Sequence, residues 1–305
     1  MKPVRNQQDG PLASKDRPVF SVIVPVFEQW HLAKKLLDCL DRQTIEASAF
    51  EILLVNDEPP DTSPPDLRHE KARLLQGSNR GSYTARNLGA ARANGRYFVF
   101  TDADCLPDPD WLKAIASAFE ASAQEPTILI GNVEMIARTD RANAYEMYDI
   151  VKGIPQARYV RRGYGATANL AVSRAVFERV GGFDTNRLSG GDAEFCRRAT
   201  ARTGASVTFL PDATVHHPAR HDWRSIATKA RRVKGGQVRS GTAKQKIVWT
   251  ARTFAPPVRG LWMFLRAGRH PLRYRLWACL VQLRVWLLEM AETVRLLLSG
   301  TPERR

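Results

Sequence analysis

The stretch YFVFTDADCLP (residues 97–107) runs four apolar or aromatic residues into two aspartates, Asp102 and Asp104, separated by a single alanine. An unbroken apolar run of this length reads as a strand buried on both faces, which is usual for parallel sheets. Two like charges at its end repel one another unless water or a cation offsets them. Spacing alone leaves a solvated turn and a cation site both open, and the neighbouring segments decide between them.

Upstream, PVFSVIVPVF (18–27) is a second near-continuous β-branched run, followed by a helical pattern at Leu32, Leu36, Leu37 and Leu40. FEILLVND (50–57) is a third, ended by the turn-rich DEPPDTSPPD. Strand, helix and strand make a βαβ unit, whose crossover is nearly always right-handed. A short strand around 73–76 leads into GSNRGSYTARNLGAARANG, where Ala85, Gly89 and Ala93 give a helix a slim face that can lie close to a sheet. Downstream, 110–121 reads as a helix and TILIGNVEMI as a strand. After about residue 140 the pattern loosens. ANLAVSRAVFERVGGFD then reads as a short strand and helix, GDAEFCRRATARTG as a helix stopped by Gly204, and ASVTFLPDATVHHP as a closing strand. The expectation is an α/β fold: an open, mostly parallel sheet with flanking helices over 18–220, preceded by a flexible lead-in at 1–17.

Charge divides the chain at the same boundary. Of 305 residues with net charge +15, residues 1–216 carry 27 Lys and Arg against 27 Asp and Glu, whereas 217–305 carry 19 against 4. A neutral body followed by a basic region (221–305) points to an anionic partner, a lipid surface or nucleic acid. No zinc spacing or aromatic RNA-binding motif accompanies the charge, so nucleic acid is disfavoured. Tryptophans interleaved with arginines suit a membrane interface. The segment LWACLVQLRVWLLEMAETVRLLL (276–298) is long enough to span a bilayer, but Arg284, Glu289, Glu292 and Arg295 interrupt it. Arginine or aspartate at mid-membrane costs about 2.5–3.5 kcal/mol each, which favours lying on a membrane or packing on a partner. Four scattered cysteines suggest neither a disulfide framework nor a zinc cage, and the polar start has no apolar signal core. The expected location is cytoplasmic, peripheral at the inner face of the plasma membrane.

Ligands of open α/β sheets sit beyond the carboxyl ends of the strands. That rim collects Pro25, Phe27 and Glu28, then Asn56 and Asp57, then Arg80, then Asp102 and Asp104. Aspartates two apart in such a turn can hold magnesium or manganese through oxygen and leave positions for substrate phosphates. Neither G-x-x-x-x-G-K-[ST] nor a G-x-G-x-x-G after the first strand is present, so a P-loop and a dinucleotide cradle are excluded. A nucleotide can still lie with its base beside the first two strand ends, against Asp57.

Four segments, VFSVIVPVFEQWHLAKKLLDCLDRQT, FEILLVNDEPPDTS, NRGSYTARNLGAARANGRYFVFTDAD and ANLAVSRAVFERVGGFDTNRLSGGDAEFCRRATARTG, together resemble the family 2 glycosyltransferases, inverting enzymes of the GT-A fold. The resemblance covers roughly 18–220. It implies a nucleotide contact at Pro25, Phe27 and Glu28, a base-reading carboxylate at Asp57, and an arginine near the nucleotide and Asp102 at Arg86. It implies a metal and diphosphate site at Asp102 and Asp104, a general base at Asp192, and a histidine near the metal at His217. Gly191 stands where the family more often has glutamate. Glu194 is open between a first-turn dipole partner and an acceptor contact. The implied function is metal-dependent transfer (Mn2+ or Mg2+) of a sugar, from a UDP-sugar as first guess, to a hydroxyl acceptor such as a lipid-linked glycan. The rival reading keeps the fold as a non-enzymatic scaffold with a basic lipid- or nucleic-acid-binding region.

Overall fold

The three apolar runs form three adjacent strands of one eight-stranded sheet. The computed structural model describes residues 17–302 apart from 63, 66, 68, 123, 124, 240, 241 and 299. All but residue 17 of the expected lead-in lies outside the described residues. Strands β1 (Phe20–Val26), β2 (Phe50–Asn56), β3 (Ala72–Gln76), β4 (Tyr97–Thr101), β5 (Leu106–Pro107), β6 (Thr127–Ile136), β7 (Asn169–Ser173) and β8 (Ser206–Pro218) lie in the order β3-β2-β1-β4-β7-β6-β8-β5. The pairs β1–β2, β1–β4, β2–β3 and β6–β8 are parallel; β4–β7, β6–β7 and β5–β8 are antiparallel.

The unbroken apolar runs arise because helices cover both faces. Side chains of a strand alternate between faces. On β1, Phe20, Val22, Val24 and Val26 therefore join the core beneath α1 (Trp30–Leu40) and α3 (Trp111–Ala121), while Ile23 joins the opposite core. That second core holds Phe98 and Phe100 of β4 against Phe177, Phe183 and Phe195, which belong to or adjoin α6 (Arg174–Val180) and α7 (Gly191–Thr203). Helix α2 (Ser82–Arg92) lies close to the sheet on its small-residue face: a Cβ at Gly89 would stand 2.5 Å from Ile23 Cγ2.

Where the pattern loosened, the chain forms α4 (Ala144–Lys152) and α5 (Gln156–Val160). A capping box starts α4: Asn143 Oδ1 accepts from Tyr145 N and Glu146 N, and Glu146 Oε2 accepts from Asn143 N. The basic region is helical: α8 (Trp223–Arg239), α9 (Ala243–Phe254), α10 (Val258–Leu265) and α11 (Leu272–Leu298). It packs on α4, because Tyr148 and Val151 share a core with Ile226, Ala230, Phe264, Ala278, Val281 and Val285.

The charges of α11 serve that packing. Arg284 donates to Tyr145 Oη at 2.7 Å and lies 3.9 Å over the Trp223 ring; Glu289 pairs with Lys234; and the buried Glu292 pairs with Arg295. Its outward residues include five leucines, with Leu272, Leu276, Leu280, Leu283 and Leu287 between 38% and 58% exposed. No helix among the described residues is long and apolar enough to cross a membrane.

Candidate active site

Sheet register gathers the site. Thr101 of β4 pairs with Asn169 of the antiparallel β7, so the turn holding Asp102 and Asp104 meets the loop that ends at Thr167. The two-residue β5 then pairs Leu106 with His216 and Pro107 with Val215, which carries β8 back to the same turn. Alternation along β8 separates its two histidines. His216 is half-buried with Asp108 Oδ1 2.8 Å from Nε2, whereas His217 is buried with Nε2 3.6 Å from Asp104 Oδ1.

The ligand atoms of Asp102, Asp104, Cys105 and His217 all lie within 4.8 Å of one another. His217 Nδ1 donates to Pro218 O at 2.9 Å, an oxygen that can only accept, which orients Nε2 toward Asp104. Burial, and then Asp104 and Asp102, push the Cys105 thiol well above its ordinary range, and its Sγ sits 3.7 Å from Ala168 O. Two carboxylates and one imidazole are the donors a divalent cation would meet there without deprotonating the thiol.

At the ends of β1 and β2, Pro25 and Phe27 are half-buried, Glu28 is exposed and Asp57 is buried. Glu28 has φ 55, uncommon for a residue with a side chain. The buried Glu58, absent from the expected set, holds it there by accepting from Glu28 N and Trp30 Nε1, both at 2.8 Å. Asp57 Oδ1 accepts from the backbone N–H groups of Arg80 and Gly81 at 3.1 and 3.4 Å. Arg80 therefore meets Asp57 through its main chain, and its side chain is exposed.

Arg86, buried on α2, donates to Asp102 Oδ1. One turn earlier on the same helix, the Tyr83 hydroxyl donates to Asp192 Oδ1 and accepts from Gly191 N at 2.9 Å. Asp192 Oδ2 accepts from Thr167 N at 3.1 Å. Asp192 is in the first turn of α7, where the helix dipole suits it, but its carboxylate points across to α2 and the approach to β7 and caps nothing. Burial, and then the neighbouring Asp192 carboxylate, raise Tyr83 far above the usual phenol range, so it stays a donor. The departure at Gly191 has a steric cause: a Cβ there would lie 2.5 Å from Tyr83 Cζ. Glu194 has both carboxylate oxygens on Arg198, at 2.6 and 2.8 Å.

Comparison with known proteins bears on the family and the fold. The family model for glycosyl transferase family 2 matches residues 21–181. Glycosyltransferase AglE of Haloferax volcanii is 32% identical over 228 residues, covering 72% of this chain and 73% of that protein. The mannosyltransferase PcManGT of Pyrobaculum calidifontis, solved with GDP-Man and Mn2+, superposes with TM-score 0.54 at 19% identity, over 92% of this chain and 87% of that one. TarS of S. aureus with UDP-GlcNAc superposes with TM-score 0.52 at 16% identity, over 90% and 80%. At these identities the two structures speak for the GT-A fold alone.

Proposed function

Because the chain belongs to glycosyl transferase family 2, whose members act on nucleotide sugars, we propose that it transfers a sugar from a nucleoside diphosphate, UDP first, to a hydroxyl acceptor with inversion at the anomeric carbon. One observation carries the reading: a carboxylate held at both oxygens, Asp192, is tied through Tyr83 to the helix whose Arg86 grips the Asp102, Asp104 and His217 cluster.

Pro25, Phe27, Glu28 and Asp57 line the nucleotide end, with Arg80 supplying the backbone N–H that fixes Asp57. Arg86 orients Asp102 toward the ribose side. Asp104, His217 and Asp102 would hold a divalent cation, Mn2+ or Mg2+, which when bound offsets charge on the departing diphosphate. Asp192 takes the proton of the attacking hydroxyl, a contribution of about 10²–10⁴-fold for general-base catalysis. Attack in line from the face opposite the diphosphate needs no covalent nucleophile and inverts the anomeric centre. Glu194 meets an acceptor only by releasing Arg198.

The exposed leucines of α11, with Trp249, Phe254, Trp262 and Leu265 on α9 and α10, stand among the exposed Arg252, Arg259, Arg266, Arg269 and Arg273. Apolar side chains interleaved with cations match an anionic bilayer surface. This face would hold the protein at the inner face of the plasma membrane, beside a lipid-linked acceptor. The donor assignment is tested by thermal unfolding with UDP- and GDP-sugars, with and without manganese. A rise in Tm with one donor that vanishes in EDTA is expected; no rise with any nucleotide sugar would refute the assignment.

A further inference from the structure

The Tyr83 ring has little freedom to move. It stacks on Phe183 with ring centroids 5.6 Å apart. Phe183 is pinned in turn by Asn87, one turn beyond Tyr83 on α2: Asn87 Oδ1 accepts from Phe183 N at 2.9 Å, and Asn87 Nδ2 donates to Phe183 O at 2.8 Å. At its hydroxyl end the ring abuts Gly191, where a Cβ would stand 2.5 Å from Cζ and 2.6 Å from Cε2. The phenol fills the room that a side chain at 191 would need, so the glycine and the tyrosine belong together.

Hydrogen-bond roles then fix where the phenol proton points. Gly191 N can only donate, and it donates to Tyr83 Oη at 2.9 Å. The single hydroxyl hydrogen is left for Asp192 Oδ1. The other oxygen, Oδ2, accepts from Thr167 N at 3.1 Å and Thr167 Oγ1 at 3.5 Å. A carboxylate offers about four lone-pair positions, shared equally by its oxygens. Among the described residues Thr167 takes up the Oδ2 side and Tyr83 takes part of Oδ1, so the open lone pair is on Oδ1.

We propose that Tyr83 is a positioning residue for the transfer step, its hydroxyl holding the Asp192 carboxylate so that the open Oδ1 lone pair takes the proton of the acceptor hydroxyl. The proposal rests on the transferase reading, which makes Asp192 the base. In that step the acceptor oxygen bonds to the anomeric carbon as its proton passes to Oδ1. The bond from that carbon to the diphosphate oxygen breaks, and its electron pair leaves on the diphosphate. Tyr83 keeps its own proton and acts only through Asp192. A tyrosine that merely capped the start of α7 would use the same contact with Gly191 N, and its loss would be felt in stability instead of in turnover.

The test follows nucleoside diphosphate release from UDP-glucose, UDP-GlcNAc and GDP-mannose in manganese, with water as the acceptor, together with donor affinity by calorimetry and Tm. It compares full-length wild type, Tyr83→Phe, Asp192→Asn and the double variant. Tyr83→Phe keeps the ring and its stacking on Phe183 and loses the hydroxyl alone. It is expected to lower kcat about 10–100-fold, as loss of one hydrogen bond to a charged group would, and to leave donor affinity within about twofold. In the Asp192→Asn background the same change should alter the residual rate less than about twofold, because no base is left to position. Wild-type kcat in Tyr83→Phe beside a slow Asp192→Asn would overturn the proposal and leave the base assignment standing. An equal loss from Tyr83→Phe in both backgrounds would also overturn it, since the hydroxyl would then act on something other than Asp192. Should Tyr83→Phe not fold, Gly191→Ala displaces the hydroxyl without removing it; lowered kcat at unchanged donor affinity is expected, and wild-type kcat would overturn the proposal. Asp192→Asn at the wild-type rate, or no release by the wild-type protein from any of the three donors, would bring down the base or the transferase reading itself, and the proposal with it.

Discussion

Asp102 and Asp104 look alike in the sequence and meet different partners. Asp102 is engaged by Arg86, and Asp104 faces the open Nε2 of His217. Asp104→Ala should therefore abolish the metal dependence of nucleotide binding, while Asp102→Ala should weaken binding but keep a response to manganese, as read by calorimetry with and without EDTA. Equal effects would show that the two aspartates share one role. Gly191 and Tyr83 form a second pair. Gly191→Ala should cost about 1–3 kcal/mol of stability through overpacking, and much less in a Tyr83→Ala background, a coupling that chemical denaturation of the double-mutant cycle measures. The proposed site residues Asp102, Asp104, Asp192 and His217 could be picked out in the sequence because each sits in a short local motif. Tyr83, Glu58 and Cys105 were not. Tyr83 earns its role by meeting a residue 109 positions away, and no local pattern encodes such a meeting.

At the scale of elements, the strands and helices up to about residue 140 were readable because burial on both faces leaves unbroken apolar runs. Helix α4 had a signal in Asn143 and Glu146, three apart before an apolar stretch, that periodicity alone passes over. Strand β5 has two residues and no pattern of its own; only pairing with β8 defines it. Helix α8 carries a pH signature. Lys229 loses its proton near pH 7 in the folded protein and near the ordinary lysine value of about 10.4 when unfolded. Between those values the unfolded chain binds more protons, so this residue makes stability rise with pH across that window. Lys229→Met should remove that increment. The Tm difference between wild type and variant should move in favour of wild type from pH 7 to the alkaline end of the window, and parallel profiles would contradict the environment assigned to Lys229.

For the whole molecule, charge asymmetry and the inverted polarity of α11 point the same way. Helix α11 packs Glu289 and Glu292 toward the protein and leaves most of its leucines outward, a pattern hydropathy registers only as an interrupted apolar segment. Burying one such side chain is worth about 1.5–3 kcal/mol. Trp262→Ser with Leu280→Ser should therefore lower sedimentation with phosphatidylglycerol vesicles about tenfold or more, and wild-type binding should weaken with salt. Salt-independent binding, or none, would contradict an electrostatically assisted membrane face. The central claim is that Asp192 takes the acceptor proton beside a donor held by the Asp102 and Asp104 turn. Its direct test is Asp192→Asn, whose Oδ1 can still accept from Tyr83, assayed for nucleoside diphosphate release and for donor affinity. Release slowed about 10²–10⁴-fold with donor affinity unchanged is the predicted result; release at the wild-type rate would contradict it.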